Sequence, residues 1–242
     1  MITKISIVVP CYNHELYLKD CIDSILNQNS ARTKDGWKVE QEVIVVDDGS
    51  TDGSLEIAKS YGSKIQVIHQ SNRGLPAARN TGILNSFGEY VLFVDSDDVL
   101  ARNCVEKIVD IAEETDVDII SPSFQCFGKF TDVLILMADP KIEDFKTGNR
   151  IGYCSAIKRK ALNRVGGYSS RMVWGYEDLH LTINLLSTGS TIITIPEVLW
   201  FYRTKEVSMI TESLKHNDEL MAQIFKDFPN FKGDVLTTPL PK

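Results

Sequence analysis

The 242-residue chain is 43% hydrophobic and 24% charged, the balance of a soluble globular protein with material for one large α/β domain. Its formal net charge of -7, without any long Lys/Arg tract, excludes a nucleic-acid backbone as an expected partner. Five scattered cysteines without a CxxC exclude a disulfide framework or zinc site, and no apolar run approaches the roughly 20 residues of a membrane span, so a reducing cytoplasm is the expected compartment.

ISIVV at 5–9, VIVV at 43–46, IQVI at 65–68 and VLFV at 91–94 are short runs without clean alternation, which predicts strands covered on both faces. Between them Leu18, Cys21, Ile22, Ile25 and Leu26, then Leu55 and Ala58, then Ala77, Ala78 and Ile83 recur at helical spacing. This alternation predicts βαβ units on a parallel sheet. The polar stretch 30–41 breaks the rhythm and is expected as a surface loop. Beyond residue 100 the pattern predicts a helix near 103–113, a strand near 117–121, a hairpin-like stretch over 124–138, Gly-rich turns leading to VSMI at 207–210, and a helix over 212–227. Residues 229–242, with three prolines, are expected to be loosely held.

In an open parallel sheet the ligand sits beyond the carboxyl ends of the strands. Three such ends carry unusual residues: PCYNHE (10–15), DDGSTD (47–52) and DSDD (95–98). Each alone also reads as a polar turn or cap, since Ser50, Thr51 or Asp52 can cap the helix that carries Leu55. Together they are expected to meet in one crevice. Asp95 and Asp97 are two apart, so in extended chain their carboxylates share a face and can converge on one hard divalent cation. Two carboxylates hold a metal weakly unless a substrate adds anionic oxygens such as those of a diphosphate. Asp98 reads equally as a cap for the next helix.

NRGLPAARN (72–80) offers Arg73, Arg79, a permissive Gly74 and a helix start at Pro76, suited to an anion or to an ordinary loop and helix. WGYEDLHL (174–181) puts Glu177 and Asp178 at the start of an apolar helix, where the helix dipole favours acids in any case. Its functional reading makes one carboxylate a general base, with Trp174 and Tyr176 as flat platforms for a sugar. His14, His69, His180 and His216 show no metal-ligand spacing, and no chemistry is assigned to them.

Taken in order, SIVVPCYNHELYL, EVIVVDDGSTDGS, NRGLPAARNTGI, GEYVLFVDSDD and GYEDLHL resemble a family 2 glycosyltransferase with the GT-A fold, over roughly residues 4–210. The resemblance implies a Rossmann-like three-layer α/β sandwich with a mostly parallel central sheet. It implies a single catalytic domain over 1–210, with a nucleotide half (1–100) and an acceptor half (101–210), followed by a C-terminal helix and tail at 211–242. The implied reaction moves a sugar from a nucleotide-diphosphate donor, expected to be UDP-linked, to a hydroxyl on a glycan, lipid-linked or protein acceptor, with inversion.

By position in those motifs, Pro10, Tyr12 and Asp48 would hold the base, with Asp47, Glu15 and Asn72 nearby and Arg79 close to the diphosphate or donor sugar. Asp95 would face the ribose or metal, and Asp97 would ligate Mn²⁺ or Mg²⁺. Asp178 would be the general base, with Glu177 and Trp174 binding donor or acceptor sugar. Relatives often carry YRxHxxS after the last strands, whose His completes the metal shell; this chain has YRTKEVS, with Lys205 in that place. Lys205 or Arg203 is expected to compensate with positive charge toward the diphosphate. Two other readings are a pocket-bearing module without catalysis and a sugar nucleotidyltransferase, although the latter is expected to show a Gly-rich, Arg-containing loop where this chain has PCYNHE.

Overall fold

The strands β1 (Lys4–Cys11), β2 (Glu40–Asp47), β3 (Gln66–His69) and β4 (Tyr90–Phe93) lie in the order β3-β2-β1-β4, all parallel. The computed structural model that shows this describes residues 4–206 and 213–231. Their lack of alternation has a direct cause: successive side chains enter two different apolar layers. Ile5, Ile7 and Val9 pack with Leu18, Cys21, Ile22 and Ile25 of α1 (Leu18–Leu26) and with Val105 and Ile108 of α4 (Cys104–Glu114). Val8, Val91 and Phe93 face the opposite layer with Leu181, Ile183 and Leu185 of α6 (Glu177–Ser187). Each such buried aliphatic side chain contributes about 1.5–3 kcal/mol by removal from water. The helices α2 (Ser54–Ser60), α3 (Leu75–Leu84) and α5 (Arg159–Val165) complete the connections. α3 rides directly on β1, because a Cβ at Gly82 would come within 2.2 Å of Val8 Cγ1.

Beyond β4 the sheet becomes mixed. β8 (Ala156–Lys158) runs antiparallel to both β4 and β6 (Ile119–Gly128), β6 runs parallel to β9 (Ile192–Thr204), and β5 (Val99–Leu100) pairs antiparallel with β9. The hairpin expected over 124–138 is formed by β6 and β7 (Val133–Leu134). All five cysteines are buried and unpaired.

The expected helix at 212–227 is seen as a helical turn at 213–215 followed by α7 (Asn217–Asp227). Leu220, Met221 and Ile224 of α7 are buried in the same layer as α6. VSMI at 207–210 and residues 232–242 of the expected loose tail lie outside the described residues, whereas Phe231 is buried in that layer. No helix among the described residues is long and apolar enough to cross a membrane.

The register pairs Cys11 with Asp47 and Val8 with Phe93, so β1, β2 and β4 release their chains on the same side. PCYNHE, DDGSTD and DSDD therefore share one edge, as strand order alone predicts.

Candidate active site

The first two strand-end loops are laced together. Asn13, at φ 54°, donates its N–H to Ser50 Oγ (3.0 Å) and accepts from Thr51 N at Oδ1 (2.7 Å). Glu15 Oε2 accepts from Gly53 N (2.7 Å), while Glu15 N donates to Asp52 Oδ2 (3.0 Å). Tyr12 is left 46% exposed above this knot. Pro10, Asp47 and Asp48 lie buried beneath it.

Asp48 shapes the next loop. Its Oδ1 accepts from Gln70 Nε2 (2.6 Å) and Arg73 N (3.0 Å), and its Oδ2 accepts from Gly74 N (2.8 Å). A carboxylate oxygen has about two acceptor sites, so Oδ1 is filled and Oδ2 keeps one for a further donor. Gly49, at φ 77°, lets the two loops touch, because a Cβ there would lie 2.8 Å from Asn72 N. Asn72 is exposed at this edge, with Oδ1 accepting from Gly74 N (3.2 Å). Asp47 Oδ2 meets His69 Nδ1 at 2.7 Å, and its Oδ1 is buried without a hydrogen-bond partner among the described residues.

Arg79 departs from its expected place. Its side chain is 1% exposed, with Nη2 donating to Asp95 Oδ1 (2.7 Å) and Nη1 to Glu177 Oε1 (2.6 Å). The guanidinium lies 5.3 Å from the Tyr153 ring centre and 5.2 Å from that of Tyr168. It is a pillar under the crevice rather than a ligand presented to a diphosphate. Glu177, expected on a sugar, is likewise buried beneath. The physical reason is compensation: a guanidinium enclosed this deeply needs carboxylates as hydrogen-bonded partners, and the sheet edge supplies two. Burial pushes the Asp95 and Glu177 carboxyls up even with Arg79 beside them.

Asp98 does not cap the next helix, whose N-cap is Asn103; it braces the edge from within. Its Oδ1 accepts from Arg203 N (2.7 Å) and its Oδ2 from the Tyr153 hydroxyl, while burial pushes the carboxyl well above the usual range. Tyr153 thus ties Asp98 to the Arg79 pillar. A Tyr153→Phe chain is expected to lose about 1–3 kcal/mol, since a buried carboxylate oxygen is left without that donor; urea denaturation checks it.

Asp97 carries the cation that the sequence left in question. Lys205 Nζ is 2.6 Å from Asp97 Oδ2 and 3.2 Å from His14 Nε2, while His14 Nδ1 is 2.7 Å from Ser96 Oγ. Arg203 Nε donates to the Asp97 carbonyl oxygen (2.8 Å), its guanidinium held over the Tyr17 and Phe127 rings at 4.7 and 4.4 Å. His14 joins this cluster at the strand ends, a place that sequence reasoning missed because no histidine spacing pointed to it.

No trio of His, Cys, Asp or Glu side chains among the described residues is arranged to hold a metal by itself. The donor set at Lys205 Nζ nevertheless suits a divalent ion: a carboxylate oxygen and an imidazole nitrogen already cradle a positive charge. An ion bound through one or two protein groups takes its remaining ligands from phosphate oxygens and water. The residues therefore fit Mn²⁺ or Mg²⁺ once the ammonium yields and a diphosphate is present.

Asp178 is half-buried where its neighbour Glu177 is buried. Its Oδ2 accepts from Asn149 Nδ2 (2.8 Å) and its Oδ1 from Leu179 N (2.8 Å), and burial raises its pKa. Asn149 had no motif to reveal it. Trp174 is 45% exposed, with its ring stacked on His216 at 4.5 Å, which covers one face. Tyr176 does not form the expected sugar platform: at φ 57° it turns its hydroxyl onto Asn217 Oδ1 (3.0 Å) and its ring into the α6–α7 apolar layer.

A family model for glycosyl transferase family 2 matches residues 6–166, which include the loops that follow β1, β2, β3 and β4. The chain belongs to this family. Asp178 and Lys205 lie beyond the matched residues. Among the curated relatives, the uncharacterized glycosyltransferase EpsJ of Bacillus subtilis is 41% identical over 127 residues, 51% of this chain and 35% of EpsJ. The chain spans well under half the length of the curated relatives it matches.

Solved structures establish the GT-A fold. S. aureus TarS 1–349 in complex with UDP-GlcNAc superposes with a TM-score of 0.76 at 23% identity, covering 94% of this chain and 67% of that one. The mannosyltransferase PcManGT of Pyrobaculum calidifontis, in complex with GDP-Man and Mn²⁺, superposes at 0.69 with 21% identity, covering 97% and 66%.

Proposed function

We propose that this chain transfers a sugar from a UDP-linked donor to an acceptor hydroxyl with inversion, using Asp178 as the general base. The observation that carries this reading is the arrangement of Asp178, half-buried and aimed by Asn149, next to Glu177, which Arg79 links to Asp95 at the end of β4. The nucleotide complex of TarS supports a UDP donor, and the complex of PcManGT supports a divalent ion.

Tyr12 stacks on the base, and the loop shaped by Asp48 presents Asn72 beside it. Asp97 and His14 would hold the divalent ion, with Asp95 behind them. When bound, that ion supplies positive charge to the departing diphosphate. Asp178 accepts the proton of the acceptor hydroxyl as its oxygen bonds to the anomeric carbon from the face opposite the diphosphate. The bond to the diphosphate oxygen breaks with its electron pair leaving on the nucleotide, so a single displacement inverts the centre. Trp174, 45% exposed with one ring face on His216, packs its other face against a sugar in this reading.

Calorimetric titration with UDP and Mn²⁺, followed by nucleotide release from a panel of nucleotide sugars, tests the reading. Binding of UDP and Mn²⁺-dependent release from at least one UDP-sugar are expected; a chain that binds no UDP overturns it. A Tyr12→Ala chain is expected to bind UDP about tenfold more weakly in the same titration, through loss of the stacking face.

A further inference from the structure

We propose that the Lys205 ammonium is a resident cation, which closes the Asp97 carboxylate in the free protein and is exchanged for the divalent ion when a nucleoside diphosphate enters, with His14 supplying the nitrogen ligand. This deepens the donor-binding reading above and rests on it.

Three separate segments build the cradle: His14 follows β1, Asp97 follows β4 and Lys205 follows β9. An ammonium group has donors only, so at 3.2 Å from Nζ the His14 Nε2 must present its lone pair. Nδ1 then carries the ring hydrogen and donates it to Ser96 Oγ at 2.7 Å. A neutral imidazole whose far nitrogen is anchored, and whose lone pair faces a carboxylate-bound cation, is arranged as metal-binding histidines are. The missing histidine of the YRTKEVS stretch is thereby matched by one from the opposite end of the chain, 191 residues away.

The neighbouring cations cannot take this part. Arg79 is locked between Asp95 and Glu177, and Arg203 is fixed by Asp97 O and by the rings of Tyr17 and Phe127. Lys205 has a flexible stem, a side chain 25% exposed, and the Tyr17 ring 5.3 Å from Nζ as a surface to withdraw over. Exchange without a diphosphate would crowd a divalent ion and an ammonium beside one carboxylate. A diphosphate brings the negative charge that accommodates both, so ion and nucleotide enter together.

The test follows Mn²⁺ by electron paramagnetic resonance on the full chain, with and without UDP, in the unaltered protein and in Lys205→Met, Lys205→Gln and His14→Gln. Without UDP, both Lys205 variants are expected to bind Mn²⁺ at least tenfold more tightly than the unaltered chain, and UDP is expected to shrink that gap. Nitrogen-14 modulation of the bound Mn²⁺ signal is expected in the unaltered UDP complex and absent in His14→Gln. Lys205 variants that bind Mn²⁺ less than tenfold more tightly than the unaltered chain without UDP, or modulation that persists in His14→Gln, overturn the exchange while UDP still binds. UDP binding to none of the chains overturns the donor reading with it.

Discussion

An Arg79→Met chain is expected to lose about 3–5 kcal/mol of stability and essentially all transfer activity. Arg79 is the only partner shown for Asp95 Oδ1 and Glu177 Oε1 among the described residues, and the Glu177 side chain is 7% exposed. Without the guanidinium two carboxylates share an enclosed space, and one must take a proton or draw in water. Lysine is a poor replacement, because a single ammonium cannot fork to two carboxylates while stacking between Tyr153 and Tyr168. Urea denaturation at neutral pH measures the loss. Adding Glu177→Gln to Arg79→Met is expected to restore part of the stability by removing one uncompensated charge. A single variant within about 1 kcal/mol of the unaltered chain shows that the pillar is dispensable.

The second large effect is on turnover. Asp178→Asn keeps the shape and an oxygen for Asn149 to donate to, but cannot take a proton, so kcat is expected to fall about 10²–10⁴-fold with UDP affinity unchanged. Burial raises the Asp178 pKa, and a general base works in its deprotonated form. Activity is therefore expected to climb with pH through an apparent pKa above the ordinary aspartate value of about 3.9, and to be lost as pH falls through that raised value. A kcat/KM profile checks this, and an acid limb at or below the ordinary value contradicts the assignment. An unchanged kcat in Asp178→Asn moves the base elsewhere.

Much of the first hundred residues was legible because their strands are covered on both faces. Continuous apolar runs such as ISIVV have no other ready explanation, and β1, β2, β3 and β4 begin and end within about three residues of the runs that predict them. The strand-end loops followed from topology, since parallel strands release their chains on one edge. Residues whose direction depends on a distant partner were not legible. Arg79 and Glu177 are 98 positions apart, and nothing local says that the guanidinium turns inward. Tyr176 reads as a sugar platform until its left-handed backbone turns it toward α7.

The sequence by itself determined the family, the parallel βαβ half and the carboxylates at its edge, because these rest on local periodicity and on motifs contiguous in the chain. Only the tertiary structure decided which charged groups meet which partners: Arg79 with Asp95 and Glu177, Lys205 with Asp97 and His14, Asp98 with the Tyr153 hydroxyl and the Arg203 backbone N–H. The reason is that burial makes an unpaired charge costly, and the partner that relieves it is selected by proximity in the folded chain, which spacing along the sequence does not encode.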